Sequence, residues 1–206
     1  MNTYIVWTLF LVAAYLCGAV PFGFLIGKMR GVDVRTVGSK NIGATNVYRT
    51  VGHKWGLLAF FCDFLKGLLP TLAARYLAPQ GEAYLSLPIV VGVMTVIGHM
   101  FTCFMKFKGG KGIATGFGML VALIPGLVGC AFLVFVVTVW ISHYISLGSI
   151  LAAAFLLCTV WFPILGTPGT ANLPQCILVA VVAFFAIYKH RTNIKRLMDG
   201  CENKIY

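Results

Sequence analysis

The chain of 206 residues is 60% hydrophobic and 10% charged, which excludes a soluble globular protein, since such proteins carry about 25% charged residues. Its net charge of +11, from 16 Lys and Arg against 5 Asp and Glu, favours partners with phosphate groups or anionic lipid headgroups. Nucleic acid is disfavoured because the basic residues stand in short blocks beside long apolar segments. The first 27 residues carry no charged side chain, so we expect a retained first span and no cleaved signal peptide.

Seven cysteines are present, and six of them lie within apolar segments. No two have the CxxC spacing of a metal or redox site. We therefore predict packing roles for the cysteines, with no disulfide framework, no metal and no cofactor.

Apolar segments follow one another along the whole chain, and a helix that crosses the hydrocarbon layer needs about 20 such residues. The predicted fold is an all-α integral membrane protein with seven transmembrane helices, which form one domain over residues 1–206. The predicted spans cover residues 4–26, 55–78, 85–105, 113–127, 129–143, 147–165 and 173–189.

The basic residues predict the orientation, because 14 of the 16 fall in three blocks at 28–54, 106–111 and 189–204. Basic loops stay in the cytoplasm, so the single crossing before the first block places the N-terminus outside and the C-terminus inside. The 77 uncharged residues after the second block must cross an even number of times. Four crossings fit, because two would leave about 35 residues unplaced. Gly and Pro are dense in the fourth and fifth spans, which we expect to be short or partly re-entrant.

The second predicted span contains two charged residues, Asp63 and Lys66, which share a helical face because they are three residues apart. Charges at this depth are costly unless they pair or line a cavity. Two roles stay open: a mutual ion pair that fixes helix packing, and a direct part in an active site.

The first basic block contains a loop at residues 38–52 that is rich in short hydrogen-bonding side chains. Its candidate binding residues are Ser39, Asn41, Thr45, Asn46 and Arg49. Thr45 and Arg49 share a face if a helix begins near Ala44. An ordinary polar loop with a helix cap is the alternative, but such a loop seldom combines so many donors with so few acids. We therefore predict that it binds an anionic substrate.

The second basic block reads FKGGKGIATG at residues 107–116. Its candidate phosphate-binding residues are Lys108, Gly109, Gly110, Lys111 and Gly112. Glycines let backbone N–H groups close around an anion, and a helix beginning near Ile113 would add its positive end. The order is not that of a P-loop, because Gly follows Lys111, so nucleotide hydrolysis is disfavoured. His99, near the end of the third span, is either a packing histidine or a ligand contact.

The third basic block, at residues 189–196, contains His190 and Asn193 three positions apart. A basic helix lying on anionic lipid would account for its Arg and Lys residues but leaves His190 and Asn193 unexplained. Ser146 stands in a short polar stretch that lies on the same side by the crossing count. These three residues complete the candidate site.

The three blocks bring cationic and amide donors to one face, and no single motif contains a nucleophile with its base and acid. Such a site suits a substrate that is anionic and already activated. The protein then positions the reactants and neutralises charge.

Three motifs in this order resemble the cytoplasmic motifs of the bacterial acyl phosphate:glycerol-3-phosphate acyltransferase family, known as PlsY. They are SKNIGATNVYRTVG at 39–52, GHMFTCFMKFKGGKGIATGFG at 98–118 and KHRTNIKRL at 189–197. The resemblance covers the whole chain, including its length and the spacing of its spans. Lys40 is the main departure, because the family commonly has Gly there, and it bears on the backbone shape beside Ser39.

The resemblance implies a multi-pass enzyme of the bacterial cytoplasmic (inner) membrane, with its active site on the cytoplasmic face. It would transfer a fatty acyl group from acyl phosphate to the sn-1 hydroxyl of glycerol 3-phosphate, giving lysophosphatidic acid and inorganic phosphate. This is the first acylation step of bacterial phospholipid biosynthesis. Its partners are the two substrates and membrane lipids, and no protein partner is expected.

The resemblance also implies roles for the candidate residues. The catalytic ones are Ser39, Arg49, Lys111, His190 and Asn193. Further phosphate contacts are expected from Lys108, Gly109, Gly110, Gly112, Asn41, Thr45, Asn46 and Ser146. We expect direct acyl transfer without an acyl-enzyme, with either His190 or a substrate phosphate oxygen as the base.

Two other classes remain as alternatives. An anion transporter would share the basic blocks, but it needs a polar path across the bilayer, and the sequence shows no internal repeat. A protein that only holds lipid headgroups would leave the clustered glycines and asparagines unexplained.

Overall fold

The computed structural model describes residues 2–161 and 173–205, and every regular element within them is helical, which confirms the all-α prediction. The described α-helices are α1 (Thr3–Ala19), α2 (Phe22–Met29), α3 (Ala44–Thr50), α4 (His53–Leu77), α5 (Leu87–Met100), α6 (Ile113–Leu123), α7 (Pro125–Ser142), α8 (Ile145–Thr159), α9 (Leu173–Lys189) and α10 (Arg191–Met198). Short 3-10 turns at Glu82–Tyr84 and Cys103–Met105 flank α5.

Four helical segments of the described chain are long and apolar enough to cross a membrane: Thr3–Met29, His53–Leu77, Glu82–Met105 and Pro125–Ser142. The bent pair of α9 and α10, which meet at 51°, gives a fifth if it is counted as one span. The helices α6 and α8 are apolar but shorter, with 11 and 15 residues. The chain is thus a multi-pass membrane protein, and the count of seven spans stays a prediction.

The boundary between the fourth and fifth apolar helices lies earlier than predicted. Helix α6 ends at Leu123, and α7 starts at Pro125, a first-turn position where proline's missing N–H group breaks no intrahelical bond. The fourth helix is short, as expected. The fifth helix is longer than the predicted span 129–143, because it already begins at the Pro125-Gly126 pair and has 18 residues. The end of the sixth predicted span, at 162–165, lies outside the described residues.

The chain divides into two compact units, Met1–Leu123 and Ile124–Tyr206, and the prediction of one domain stays a prediction. In the first unit, pairs of helices touch backbone to backbone at glycines. A Cβ added to Gly18 of α1 would lie 2.1 Å from the Thr95 carbonyl oxygen of α5. Small residues at such contacts let membrane helices approach closely, where dispersion between packed atoms stabilises them.

The second unit consists of α7 to α10 and the C-terminal tail. The tail returns to the turn between α7 and α8, where the Ile205 amide donates to the His143 carbonyl at 2.8 Å. The Lys204 ammonium lies 5.8 Å from the centre of the Tyr144 ring. These contacts place the tail beside the start of α8, which carries one of the candidate site residues.

Candidate active site

The candidate residues fall into two groups, one in each compact unit. The first unit holds Ser39, Asn41, Thr45, Asn46, Arg49, Lys108, Gly109, Gly110, Lys111 and Gly112, and the second holds Ser146, His190 and Asn193. Contacts within the first group join Ser39 to Asn46. Contacts within the second group join Ser146 to Asn193 through a carboxylate that the sequence interpretation did not select.

Asn46 organises the loop that precedes it. Its side-chain oxygen accepts a hydrogen bond from the Ser39 amide at 2.9 Å, and its amide group donates to the carbonyls of Val34 and Val37 at 2.8 and 3.2 Å. Asn46 is 2% exposed, and Gly38 makes room for it, since a Cβ there would lie 2.4 Å from the Asn46 oxygen. Both amide hydrogens are used, so the phosphate contact predicted for Asn46 is replaced by a structural role that fixes Ser39.

The remaining loop residues lie at the surface or are half-buried. Helix α3 begins at Ala44, so the condition for Thr45 and Arg49 to share a face is met, and both are half-buried. Asn41 closes a local turn by accepting a hydrogen bond from the Gly43 amide at 2.8 Å. Ser39 is exposed.

Lys40, beside Ser39, adopts a left-handed backbone conformation with φ of 57°. This region disfavours every residue that has a Cβ, because the Cβ approaches the following carbonyl. Lys40 therefore adopts a backbone conformation that glycine would adopt without steric cost.

We expect Lys40→Gly to raise the free energy of unfolding by about 1 kcal/mol, because glycine removes the steric cost of the left-handed conformation. Lys40→Ala is the matched control, since alanine removes the charge but keeps the Cβ. Thermal unfolding in detergent micelles measures both. Equal stabilisation by the two variants would assign the effect to charge and contradict the backbone explanation.

The loop before α6, residues 108–112, is called the glycine loop, and it is held against the last turn of α5. The Gly109 and Gly110 amides donate to the carbonyls of Met100 and His99 at 3.0 and 3.1 Å. A Cβ on Gly109 would fall on the His99 carbonyl oxygen, so glycine is needed for this approach. The prediction that these two amides close around an anion is wrong, because both are already paired within the protein.

The loop leads directly into α6, so Lys111 lies close in sequence to the first amide groups of that helix. Gly112 has φ of 82°, which favours glycine, and α6 begins at Ile113, as predicted. Lys111, two residues before the helix, is half-buried, whereas Lys108 is exposed. The first amides of a helix have no intrahelical acceptor, so an anion can bind where α6 begins.

Glu202 is the centre of the second group. Its carboxylate accepts hydrogen bonds from Ser146 at 3.1 Å, Asn193 at 2.9 Å and Arg196 at 2.6 Å, and its side chain is 1% exposed. Burial alone raises the pKa of this carboxyl, but the hydrogen bonds from Arg196, Asn193 and Ser146 outweigh it and hold the pKa below its usual value. Glu202 is one of two acids in the basic tail, with Asp199, and the sequence alone does not distinguish the buried one.

Glu202→Gln is expected to lower the free energy of unfolding at pH 7 by about 2 kcal/mol. The three donors would then face a neutral amide, and hydrogen bonds to a charged acceptor are the stronger ones. A lowered folded-state pKa stabilises the fold above the unfolded value of about 4.3, and this stabilisation disappears as pH falls through the folded value. The gap between wild type and variant should therefore close below about pH 4. Thermal unfolding from pH 3 to 7 tests this, with the exposed Asp199→Asn as control. A pH-independent gap would contradict it.

His190 is buried at the junction of α9 and α10, with its Nδ1 2.8 Å from the Ala186 carbonyl oxygen. Because a carbonyl can only accept, Nδ1 carries the hydrogen, and Nε2 holds the lone pair of the neutral ring. Asn193 follows in the first turn of α10. This tautomer suits a general base that acts through Nε2.

The charged pair of the second span is buried in the first unit, with Lys66 Nζ 2.8 Å from Asp63 Oδ1. Of the two roles left open by the sequence, the structure supports the ion pair. His99 is also buried beside this pair, with its Nδ1 3.6 Å from the same oxygen.

Comparison with known proteins shows similarity along nearly the full length. A family model described as glycerol-3-phosphate acyltransferase matches residues 8–200. The glycerol-3-phosphate acyltransferase of Desulfotalea psychrophila is 46% identical over 194 residues, covering 94% of this chain and 95% of its own. That of Trichlorobacter lovleyi is 46% identical over 194 residues, covering 93% of each chain.

Solved structures are similar as well. The crystal structure of PlsY, an integral membrane glycerol 3-phosphate acyltransferase, in its glycerol 3-phosphate form has a TM-score of 0.84 and 37% identity, covering 97% of this chain and 95% of that chain. The lysophosphatidic acid form of PlsY has a TM-score of 0.81 and 36% identity over the same shares.

Proposed function

The chain belongs to the glycerol-3-phosphate acyltransferase family, and we propose that its acyl donor is acyl phosphate. As an acyltransferase of this family, it would acylate the sn-1 hydroxyl of glycerol 3-phosphate and release lysophosphatidic acid and inorganic phosphate. This reaction is the first acylation of bacterial phospholipid synthesis. The transporter and headgroup-binding alternatives are dropped, because the relatives are enzymes.

The observation that carries the proposal is the glycine loop that opens α6. It joins a half-buried cation, Lys111, to the amide end of an apolar helix, and both would stabilise a phosphate dianion. The related PlsY structure is a glycerol 3-phosphate form, which supports this ligand, and we assign its phosphate to the loop. With the Gly109 and Gly110 amides paired to α5, the donors would be Lys111, Lys108 and the first amides of α6.

The loop at residues 38–52 would supply further substrate contacts in the first unit, and the candidate residues of the second unit are proposed from their motif alone. Arg49 and Ser39 supply a cation and a hydroxyl, and His190 and Asn193 supply further hydrogen-bonding groups. The Ser146 hydroxyl donates to Glu202, so it would have to exchange that partner to donate to a phosphate. We propose seven spans with the N-terminus outside and the C-terminus inside, which puts the basic loops and the active site on the cytoplasmic face of the inner membrane. No protein partner is proposed.

We propose direct attack of the glycerol 3-phosphate hydroxyl on the acyl carbonyl, with phosphate as the leaving group. Ser146 donates to a carboxylate whose pKa lies below its usual value, and such a carboxylate is a weak base for activating a nucleophile. The hydroxyl proton would pass to His190 Nε2 or to an oxygen of the acyl phosphate. Acyl phosphate has a good leaving group, so the protein mainly aligns the two reactants and neutralises their charge.

The test supplies purified protein in micelles with labelled glycerol 3-phosphate and either acyl phosphate or acyl-CoA. Lysophosphatidic acid and phosphate should form with acyl phosphate only. Product from acyl-CoA would overturn the proposed donor. Intact mass measured during a single turnover should show no acylated protein, and a competent acylated side chain would overturn direct transfer.

A further inference from the structure

Three buried polar side chains form a cluster where α1, α4 and α5 meet. Asp63 is 2% exposed, Lys66 is 4% exposed and His99 is 5% exposed. Burying charge in a membrane helix is costly, so each group needs a partner whose interaction compensates for its lost hydration.

Lys66 is held by a second contact at the end of α1. Pro21 interrupts the chain between α1 and α2, and a helix end leaves carbonyl groups without intrahelical donors. The Lys66 ammonium donates to the Val20 carbonyl at 2.8 Å, and the Thr102 hydroxyl donates to the Ala19 carbonyl at 2.6 Å. A cation at a helix C-terminus also interacts favourably with the helix dipole. The position of Lys66 is therefore fixed by the fold.

Asp63 connects Lys66 to His99. Its Oδ1 lies 2.8 Å from the Lys66 ammonium and 3.6 Å from His99 Nδ1. The Lys66 approach lacks the alignment of a hydrogen bond and the His99 approach is too long for one, so the Asp63 oxygen and His99 Nδ1 are both buried without one. The attraction between Asp63 and Lys66 is therefore mainly that of opposite charges in a medium of low polarity, and His99 packs against the same oxygen.

The other side of His99 contacts the glycine loop. Its carbonyl accepts the Gly110 amide at 3.1 Å, and its imidazole lies against Gly110, where a Cβ would come 2.2 Å from Nε2. The ring thus stands between the Asp63 carboxylate and the Gly110 backbone. A change in the position of the ring would alter its contact with Gly110.

Helix α4 also sets the far end of this loop. Gly67, next to Lys66, lies so close to α6 that a Cβ on it would be 2.0 Å from the Thr115 carbonyl oxygen. Residues at both ends of the loop between α5 and α6 therefore contact α4. His99 makes this contact at one end and Thr115 at the other.

We propose that Asp63 and His99 are positioning residues for the glycine loop, and that they set its affinity for the phosphate of glycerol 3-phosphate. The inference rests on the proposed function, in which this loop binds that phosphate. Neither residue touches the substrate. Lys66 fixes the carboxylate, the carboxylate orients the imidazole, and the imidazole supports Gly110 and hence Lys111.

The test compares steady-state kinetics of wild type, His99→Ala and Arg75→Gln over both substrate concentrations. We expect His99→Ala to raise KM for glycerol 3-phosphate about tenfold and to leave kcat and the acyl phosphate KM within about threefold. Arg75 is the matched control, because it also links α4 to α6, donating to the Ala122 carbonyl at 2.8 Å. Arg75→Gln should lower the melting temperature and leave both KM values unchanged.

A folded His99→Ala enzyme with an unchanged glycerol 3-phosphate KM would overturn the proposal, as would equal increases in both KM values. If His99→Ala does not fold, the double variant Asp63→Asn with Lys66→Met replaces it. That variant leaves no unpaired buried charge, since both members of the ion pair are neutral. The same rise in the glycerol 3-phosphate KM is expected from it.

Calorimetric binding of glycerol 3-phosphate separates failure of this inference from failure of the proposed function. A wild type that binds glycerol 3-phosphate but makes no product would refute the proposed reaction, and the Kd ratio of variant to wild type would still test loop positioning. A ratio near one would overturn the inference. No binding by the wild type would overturn both.

Discussion

Lys111→Ala is expected to lower kcat/KM for glycerol 3-phosphate by about 100-fold or more, the effect typical of removing a fixed charged donor from a phosphate or oxyanion site. Lys111 is half-buried at the start of an apolar helix, where low polarity strengthens its attraction to an anion. The variant should still insert into the membrane, because the apolar segments that direct insertion are unchanged. Initial rates at varied glycerol 3-phosphate measure the effect.

Lys106→Ala provides the control for this measurement. Lys106 belongs to the same basic block but is exposed, before the loop turns back towards α5. It has φ of 52°, which alanine leaves as strained as before, so the two variants differ mainly in the position of the lost charge. We expect Lys106→Ala to change kcat/KM less than about threefold, the scale of a screened surface charge. Similar losses from both variants would show that overall charge matters and would remove Lys111 from the site.

Helix beginnings were predictable from the sequence because their signals are local. The glycine loop predicts the start of α6 near Ile113, which is confirmed, and α3 begins at Ala44, the start on which the shared face of Thr45 and Arg49 depended. The apolar runs gave the all-helical membrane fold, since a helix satisfies its backbone groups without external partners. The chain does break between α6 and α7 at Pro125, but the predicted boundary at 127–129 lies a few residues late because proline suits the first turn of the next helix.

The two basic residues outside the three blocks show where sequence information ends. Lys66 and Arg75 both donate to carbonyls, Val20 near the end of α1 and Ala122 near the end of α6. Each therefore binds a carbonyl near the end of another helix, and both lie within α4, outside the three basic blocks. The sequence reveals that these residues are exceptions to the block pattern, but their acceptors lie 46 and 47 positions away along the chain.

The sequence predicted which kinds of residue form the candidate site better than it predicted the role of each residue. Asn46 has the chemistry of a phosphate ligand, yet its hydrogen bonds hold the loop around Ser39. Gly109 and Gly110 resemble an anion cradle, yet their amides pair with α5. Glu202 was missed because an acid in a basic tail resembles a solvated charge. In each case the deciding partner is set by tertiary packing, which residue spacing does not encode.

Gly67→Ala is expected to destabilise the protein by about 3 kcal/mol or more, a cost at the upper end for overpacking a tight contact. A Cβ at this position would lie 2.0 Å from the Thr115 carbonyl oxygen and 2.8 Å from its carbon, both backbone atoms that no rotamer change can move. Helices α4 and α6 would have to separate, and the glycine loop would lose one of its supports. Folded yield and thermal unfolding in micelles measure the loss.

Gly129→Ala is the matched control, because Gly129 lies within α7 and a Cβ there meets no atom within 4 Å. Alanine favours helix by about 1 kcal/mol over glycine, so this variant should be as stable as wild type or more stable. The same propensity gain applies at Gly67, inside α4, so the difference between the two variants isolates the cost of moving α4 from α6. If Gly67→Ala unfolds at the same temperature as Gly129→Ala, the backbone contact between α4 and α6 is not tight, and the support proposed for the glycine loop through Thr115 would be lost with it.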